Sequence, residues 1–199
     1  MTLRAETVRF GWVPFLVCVP ILLEQAQLVQ RLRRRSGPRH PRRARVPRSA
    51  RPSQRRVTRA ETIHLTLAFH GEVRNDRLDE LITCVRRVRG APFGLQLDSA
   101  RHWAHNGIVW AGPRETPDAL RELAAQLNTA LKADGFRTER RAFKAHVTLA
   151  RRSERAAMLP PLEPLPWRAE EFVLVRSELS PAGPAYATLS RFALDGVPW

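Results

Sequence analysis

His64-Leu65-Thr66-Leu67-Ala68 and His146-Val147-Thr148-Leu149-Ala150 are two copies of one pattern, set 82 residues apart in a chain of 199. Each alternates polar with apolar or β-branched residues, the period of a strand. In a strand, residues two apart share a face. His64 therefore lines up with Thr66, and His146 with Thr148. Ile63, Leu65 and Leu67 point the opposite way, into a core, as do Val147 and Leu149. Each strand thus presents an imidazole beside a hydroxyl on a face that packing does not need.

One such triplet is common by chance; a repeat that matches at its polar positions is not. Two imidazoles facing across a cleft can work as an acid–base pair near neutral pH. Two threonine hydroxyls can hydrogen-bond the oxygens of a phosphate held between them. Basic side chains would stabilise the charge that builds up in the transition state. The second copy has them at hand: Lys144 precedes it, and Arg151 and Arg152 follow it. Alternation puts Lys144 and Arg152 on the His146 face. Arg151 joins them only if the strand ends or twists there.

With these residues in view, the chain resembles the two-histidine phosphoesterase superfamily, and within it the bacterial RNA 2′,3′-cyclic phosphodiesterases, also called 2′-5′ RNA ligases. The stretch RAETIHLTLAFHGEV (59–73) resembles the family's first motif. GFRTERRAFKAHVTLARR (135–152) resembles the second, with its preceding aromatic and an arginine five residues past the histidine. WRAEEFVLVRSELSPAGPAYATLSRFAL (167–194) resembles the closing strand pair, which leads through a glycine-containing turn to Tyr186. The resemblance covers about 57–196. It implies hydrolysis of an RNA 2′,3′-cyclic phosphate to a 2′-phosphate without metal or other cofactor, and in reverse a 2′-5′ ligation. His64 and His146 would be the acid and base, in an order the sequence leaves open. Thr66, Thr148, Arg151, Lys144 and Arg152 would hold the phosphate, while Phe143 and Tyr186 are candidates to stack on a base. RNA ends, including those of tRNA-like fragments, are the expected partner of a monomeric cytoplasmic protein with no membrane attachment. Rival readings are a sister phosphodiesterase acting on small cyclic nucleotides or 2′-5′ oligonucleotides, and a non-catalytic RNA-binding module.

The opening of the chain fits this picture less well. Phe15–Val19 followed by Ile21 to Arg35 could imitate the family's usual first strand and helix. Yet 31–59 holds 13 arginines among 29 residues, with no acid between Glu24 and Glu61. Such a segment cannot bury a core and is expected to be disordered. We therefore divide the chain into an atypical segment, 1–56, and a phosphoesterase domain, 57–199. The first is either a natural basic tail or the product of a reading-frame error upstream of the domain. The formal charge of +15 is mostly that run's; the other 170 residues carry 21 basic and 19 acidic groups. The tail alone gives no reason to classify the domain as a nucleic-acid binder. Cys18 and Cys84 have no zinc or disulfide spacing. The apolar run Phe10–Leu23 is short for a membrane span and poor as a signal peptide.

Between and after the motifs, the pattern predicts an α+β fold of two pseudo-symmetric lobes. Each would be an antiparallel sheet with helices on its outer face, the active-site cleft lying between them. Strands are expected at Ile63–Phe69, Phe93–Leu97, Gly107–Ala111, the second motif, Glu171–Glu178 and Tyr186–Ala193, with a turn at Gly71. One helix, capped by Asn75 or Asp76, would run to Arg89 on a face of Leu78, Leu81, Ile82 and Val85. Another would open at Pro117-Asp118, bury Leu120, Leu123, Leu127 and Leu131, and close at Gly135. A proline-rich loop is expected over Leu159–Pro166. Lys132-Ala-Asp-Gly135 spells a nucleotidyl-transferase motif but reads better as that helix's end. His70, His102 and His105, the last two flanking Trp103 in an expected loop, lack metal-ligand spacing. Trp110, with Phe143, is an aromatic that could meet a base but is more simply core.

Overall fold

The computed structural model describes residues 12–20, 56–153, 162–180 and 183–196. Most of the arginine-rich run, the helix expected after residue 21 and much of the proline-rich loop lie outside them. Apolar residues of the opening stretch form β1 (Trp12–Pro20), in which Phe15–Val19 are all buried. Residues of the arginine run re-enter as the two-residue strand β2 (Arg56–Val57), and a single 3₁₀ turn leads to β3 (His64–Arg74). β3 runs straight past the turn expected at Gly71. There Phe15 faces Gly71 while Leu16 faces Phe69, so His70 is the extra residue of a β-bulge. Gly71, at φ +66°, takes up the left-handed backbone that lets the strand continue.

A 3₁₀ turn, Asn75–Arg77, leads into α1 (Leu78–Arg86). Neither Asn75 nor Asp76 caps it: Asp76 is instead held by the Arg74 guanidinium, and the position before the helix is Arg77. β4 (Phe93–Leu97), β5 (Ser99–Trp103) and β6 (Ile108–Gly112) follow. α2 (Asp118–Ala133) then opens behind Pro117 and buries Leu120, Leu123, Leu127 and Leu131. Its end is a Schellman motif: Phe136 N–H donates to the Leu131 carbonyl and Gly135 N–H to that of Lys132, with Gly135 at φ +74°. Lys132 and Asp134 are thus parts of a helix terminus, and Asp134 pairs with Arg87 of the neighbouring helix end. β7 (Val147–Arg151), β8 (Leu165–Ala169), β9 (Glu171–Ser180) and β10 (Gly183–Ala193) complete the described elements. Two of the expected loops are therefore strands. His102 and Trp103 lie on β5, and Leu165 and Pro166 begin β8.

The main sheet runs β10-β9-β1-β3-β7-β6-β5, with β2 also on β7, and β4-β8 form a separate ribbon. Every pairing is antiparallel. The two halves, β10-β9-β1-β3 and β7-β6-β5, join at one residue pair, Leu65 opposite Val147. That seam brings the two copies of the repeat together. One face of the sheet, with α1, α2 and the ribbon, encloses the main core. Leu16, Cys18, Val173 and Val175 form a smaller cluster on the opposite face, with Tyr186 against it. No helix among the described residues is long and apolar enough to cross a membrane.

Candidate active site

Ile63, Leu65, Leu67, Val147 and Leu149 are all buried in the main core, so the alternation of both motifs holds. His64, Thr66, His146 and Thr148 are half-buried on the other face. Both imidazoles are fixed in the same way. His64 Nδ1 lies 2.8 Å from the Thr62 carbonyl, and His146 Nδ1 lies 2.7 Å from that of Lys144. A carbonyl can only accept, so in each ring Nδ1 carries the proton and Nε2 keeps its lone pair for the cleft. Two residues before each histidine, backbone of the same kind thus sets the tautomer. Neither Thr66 nor Thr148 has a side-chain partner among the described residues, which leaves both hydroxyls for a ligand.

The rings are walled by aromatics. Tyr186, from β10, meets His64 edge-on at 4.8 Å between centroids; Trp103, from β5, meets His146 at 4.7 Å. Trp110 is buried behind them, 5.1 Å from Trp103 and 6.2 Å from His146. The Lys144 ammonium rests over both indoles, 4.8 Å from Trp110 and 5.8 Å from Trp103, a cation–π contact that holds it beside His146. Phe143 packs on the main core. His102 contacts the Ser153 carbonyl, His105 is exposed, and His70 is buried in its bulge. No group of three or more His, Cys, Asp or Glu converges among the described residues.

Arg151 reaches the site because of a bulge. Trp110 faces Thr148 but Val109 faces Ala150, so Leu149 is the extra residue. Leu149 and Ala150 then both point into the core, and the next side chain, Arg151, returns to the histidine face. Its charge acts on His64, His146 and Tyr186 alike. Arg152 sits one residue beyond, at φ +57°, where the strand ends. The first motif has the same irregularity at the same place: Cys18 faces Thr66, Val17 faces Ala68, and Leu67 is extra. Phe69, five residues past His64 as Arg151 is past His146, emerges likewise and is 40% exposed.

Burial pushes the His64 pKa below the ordinary imidazole value, the Thr62 carbonyl partly offsetting it and Arg151 and His146 lowering it further. His146 is lowered for the same first reason, with the Lys144 carbonyl opposing, Arg141 and Arg151 adding, and Glu139 opposing. Arg141 and Glu139 are joined by two hydrogen bonds, at 2.8 and 2.9 Å. Trp103, Phe69, Arg141 and Glu139 are the neighbours that sequence reading did not assign to the site. For Phe69 the repeat itself held the signal, since its counterpart in the second copy is Arg151. For the others nothing local did, because β5 and the loop before β7 bring them in from elsewhere.

A family model described as the 2′-5′ RNA ligase superfamily matches residues 22–181. The chain is 34% identical over 145 residues to the RNA 2′,3′-cyclic phosphodiesterase of Escherichia coli (strain K12), a match that covers 72% of this chain and 82% of that protein. With the protein of the same description from Thermus thermophilus it shares 37% over 144 residues, covering 67% and 73%. Among solved structures, E. coli LigT complexed with 3′-AMP matches with a TM-score of 0.80 at 28% identity, over 92% of this chain and 99% of that one. TT0787 of T. thermophilus matches with a TM-score of 0.73 at 27% identity, over 92% and 98%.

Proposed function

The chain belongs to the 2′-5′ RNA ligase superfamily, and from that membership we infer that it is an RNA 2′,3′-cyclic phosphodiesterase. The observation that carries the reading is the pair of imidazoles across the Leu65–Val147 seam, each with Nδ1–H committed to a carbonyl and Nε2 left for chemistry. The cyclic phosphate sits between the two Nε2 atoms. One histidine takes a proton from water as the water oxygen bonds to phosphorus. The P–O3′ bond breaks on the opposite side, and the other histidine gives its proton to the departing 3′ oxygen. The product carries a 2′-phosphate and a 3′-hydroxyl. The histidines end with their protonation states exchanged, so solvent resets them. With a 5′-hydroxyl in place of the water, the same displacement of the 3′ oxygen forms a 2′-5′ linkage.

Thr66 and Thr148 donate to the nonbridging oxygens. Arg151 offsets the charge that accumulates on them, with Lys144 beside His146 as a second cation. Tyr186 holds the plane of His64, and Phe69 offers the terminal nucleobase an exposed apolar face. The decisive assay is hydrolysis, in excess EDTA, of an RNA oligonucleotide ending in a 2′,3′-cyclic phosphate. We expect a single 2′-phosphate product. Alanine at His64 or His146 should lower kcat by roughly 10²–10⁴-fold, the usual contribution of a positioned acid or base, with the thermal transition retained. A loss below tenfold at either position would remove that histidine from the chemistry. Turnover of mononucleotide cyclic phosphates alone, with oligonucleotides refused, would move the assignment to a sister phosphodiesterase.

A further inference from the structure

Arg56 is the first described residue of the arginine-rich run, and it pairs directly with Arg151 across β2 and β7. Residues opposite one another on antiparallel strands project to the same side, with Cβ atoms about 5 Å apart. Two like charges so placed repel, which destabilises the pair unless an anion lies between them. Among the described residues neither guanidinium has a carboxylate partner. Nine other described arginines do: Arg74, Arg77, Arg87, Arg114, Arg121, Arg141, Arg168, Arg176 and Arg191. Arg56 and Arg151 have no hydrogen-bond or ion-pair partner among the described residues, and both are exposed. Arg152, also exposed and without such a partner, extends the surface beyond the strand end. An uncompensated row of guanidinium groups therefore leads outward from the histidines along the end of β7.

We propose that Arg56, set beside Arg151, grips the phosphodiester on the 5′ side of the nucleotide whose cyclic phosphate is cleaved, so that the site selects polynucleotide ends over mononucleotides. This rests on the cyclic-phosphodiesterase reading and adds a second phosphate subsite to it. The ligand is an RNA backbone phosphate, which guanidinium recognises by paired N–H donors. Arg151 faces both ways, toward the scissile phosphate and toward its cross-strand neighbour. The Arg151 charge bears on both histidines and the Arg56 charge on neither, so loss of Arg56 leaves the chemistry intact.

The test uses the full chain with adenosine 2′,3′-cyclic monophosphate and an RNA hexanucleotide ending in a 2′,3′-cyclic phosphate. Arg56→Ala should raise KM for the hexanucleotide about tenfold, the loss of one charge-assisted phosphate contact, and leave kcat/KM for the mononucleotide as it was. Arg56→Lys should recover part of the loss. Arg89→Ala, which removes an exposed arginine beyond α1, should change neither substrate. In parallel, binding of a hexanucleotide that already ends in a 2′-phosphate is titrated against salt. Arg56→Ala should lower the slope of log K against log salt by about 0.7, one phosphate contact on a single strand. Equal effects on both substrates, or an unchanged hexanucleotide KM and salt slope, would overturn the proposal. If wild-type protein cleaves neither substrate, the enzymatic reading falls, and the salt slope still decides on Arg56.

Discussion

Each imidazole in this site is buried enough to prefer the neutral form, yet the reaction needs one of them protonated at any moment. Desolvation is the main cause at both rings, and the shared Arg151 charge adds to it. The two titrate as a pair, so their macroscopic pKa values belong to the site rather than to either residue. Both lie below the ordinary histidine value of about 6.5. The singly protonated form is most populated midway between the two values, so kcat/KM, which reports the free enzyme, should peak below pH 6.5. A bound anionic phosphate favours the imidazolium, and the kcat profile should accordingly extend to higher pH than that of kcat/KM. Removing the Arg151 charge with Arg151→Gln should move the kcat/KM peak upward while lowering its height. A peak above pH 7 in the unaltered protein would contradict the geometry.

At the scale of elements, one irregularity used twice turns a repeat of sequence into a site. A bulge at Leu67 and another at Leu149 each let two consecutive residues face the core and then reverse the strand, delivering Phe69 and Arg151 to the same face. Alternation alone assigned Arg151 to the core side, which is why the sequence left it conditional. The motif strands, the stripe of α2 and its glycine end were legible because each repeats a local period. β5 was not, since Ser99–Trp103 lies at the sheet edge with no clean apolar face, and neither was β8, where Pro166 reads as a breaker. A proline is tolerated there because the strand is an edge and its exposed position faces solvent. The close approach at Gly112 was equally invisible. A Cβ at Gly112 would lie 2.5 Å from the Ala145 carbonyl oxygen, backbone immediately before His146. Gly112→Ala should therefore displace that backbone, destabilising the fold by about 1–3 kcal/mol and lowering kcat by misplacing His146. Denaturant unfolding and the cyclic-phosphate assay on the same sample would read both effects; wild-type values in each would show that β6 can yield.

For the whole molecule, the high isoelectric point is a poor guide to acid behaviour, because one buried neutral side chain sets a slope of its own. His70, 2% exposed in the bulge of β3, makes no hydrogen bond from either ring nitrogen among the described residues. Burial pushes its pKa down to about 4, with the nearby Arg137 backbone only partly opposing. The unfolded chain takes up a proton on this residue near pH 6.5, while the folded chain resists until about 4. Stability from this source is complete above pH 6.5 and is lost as pH falls through that interval. Between pH 7.5 and 5 the loss is about 2 kcal/mol. His70→Leu keeps the volume, removes the titrating group and leaves no orphaned nitrogen, so it should be at least as stable as wild type at pH 7.5 and clearly more stable at pH 5. The site histidines and carboxylates remain in both proteins, so the wild-type minus variant difference isolates His70. Urea unfolding at the two pH values measures it. A difference that does not change with pH would mean that His70 titrates in the fold as it does in the unfolded chain, and the acid sensitivity would then belong to the active-site pair.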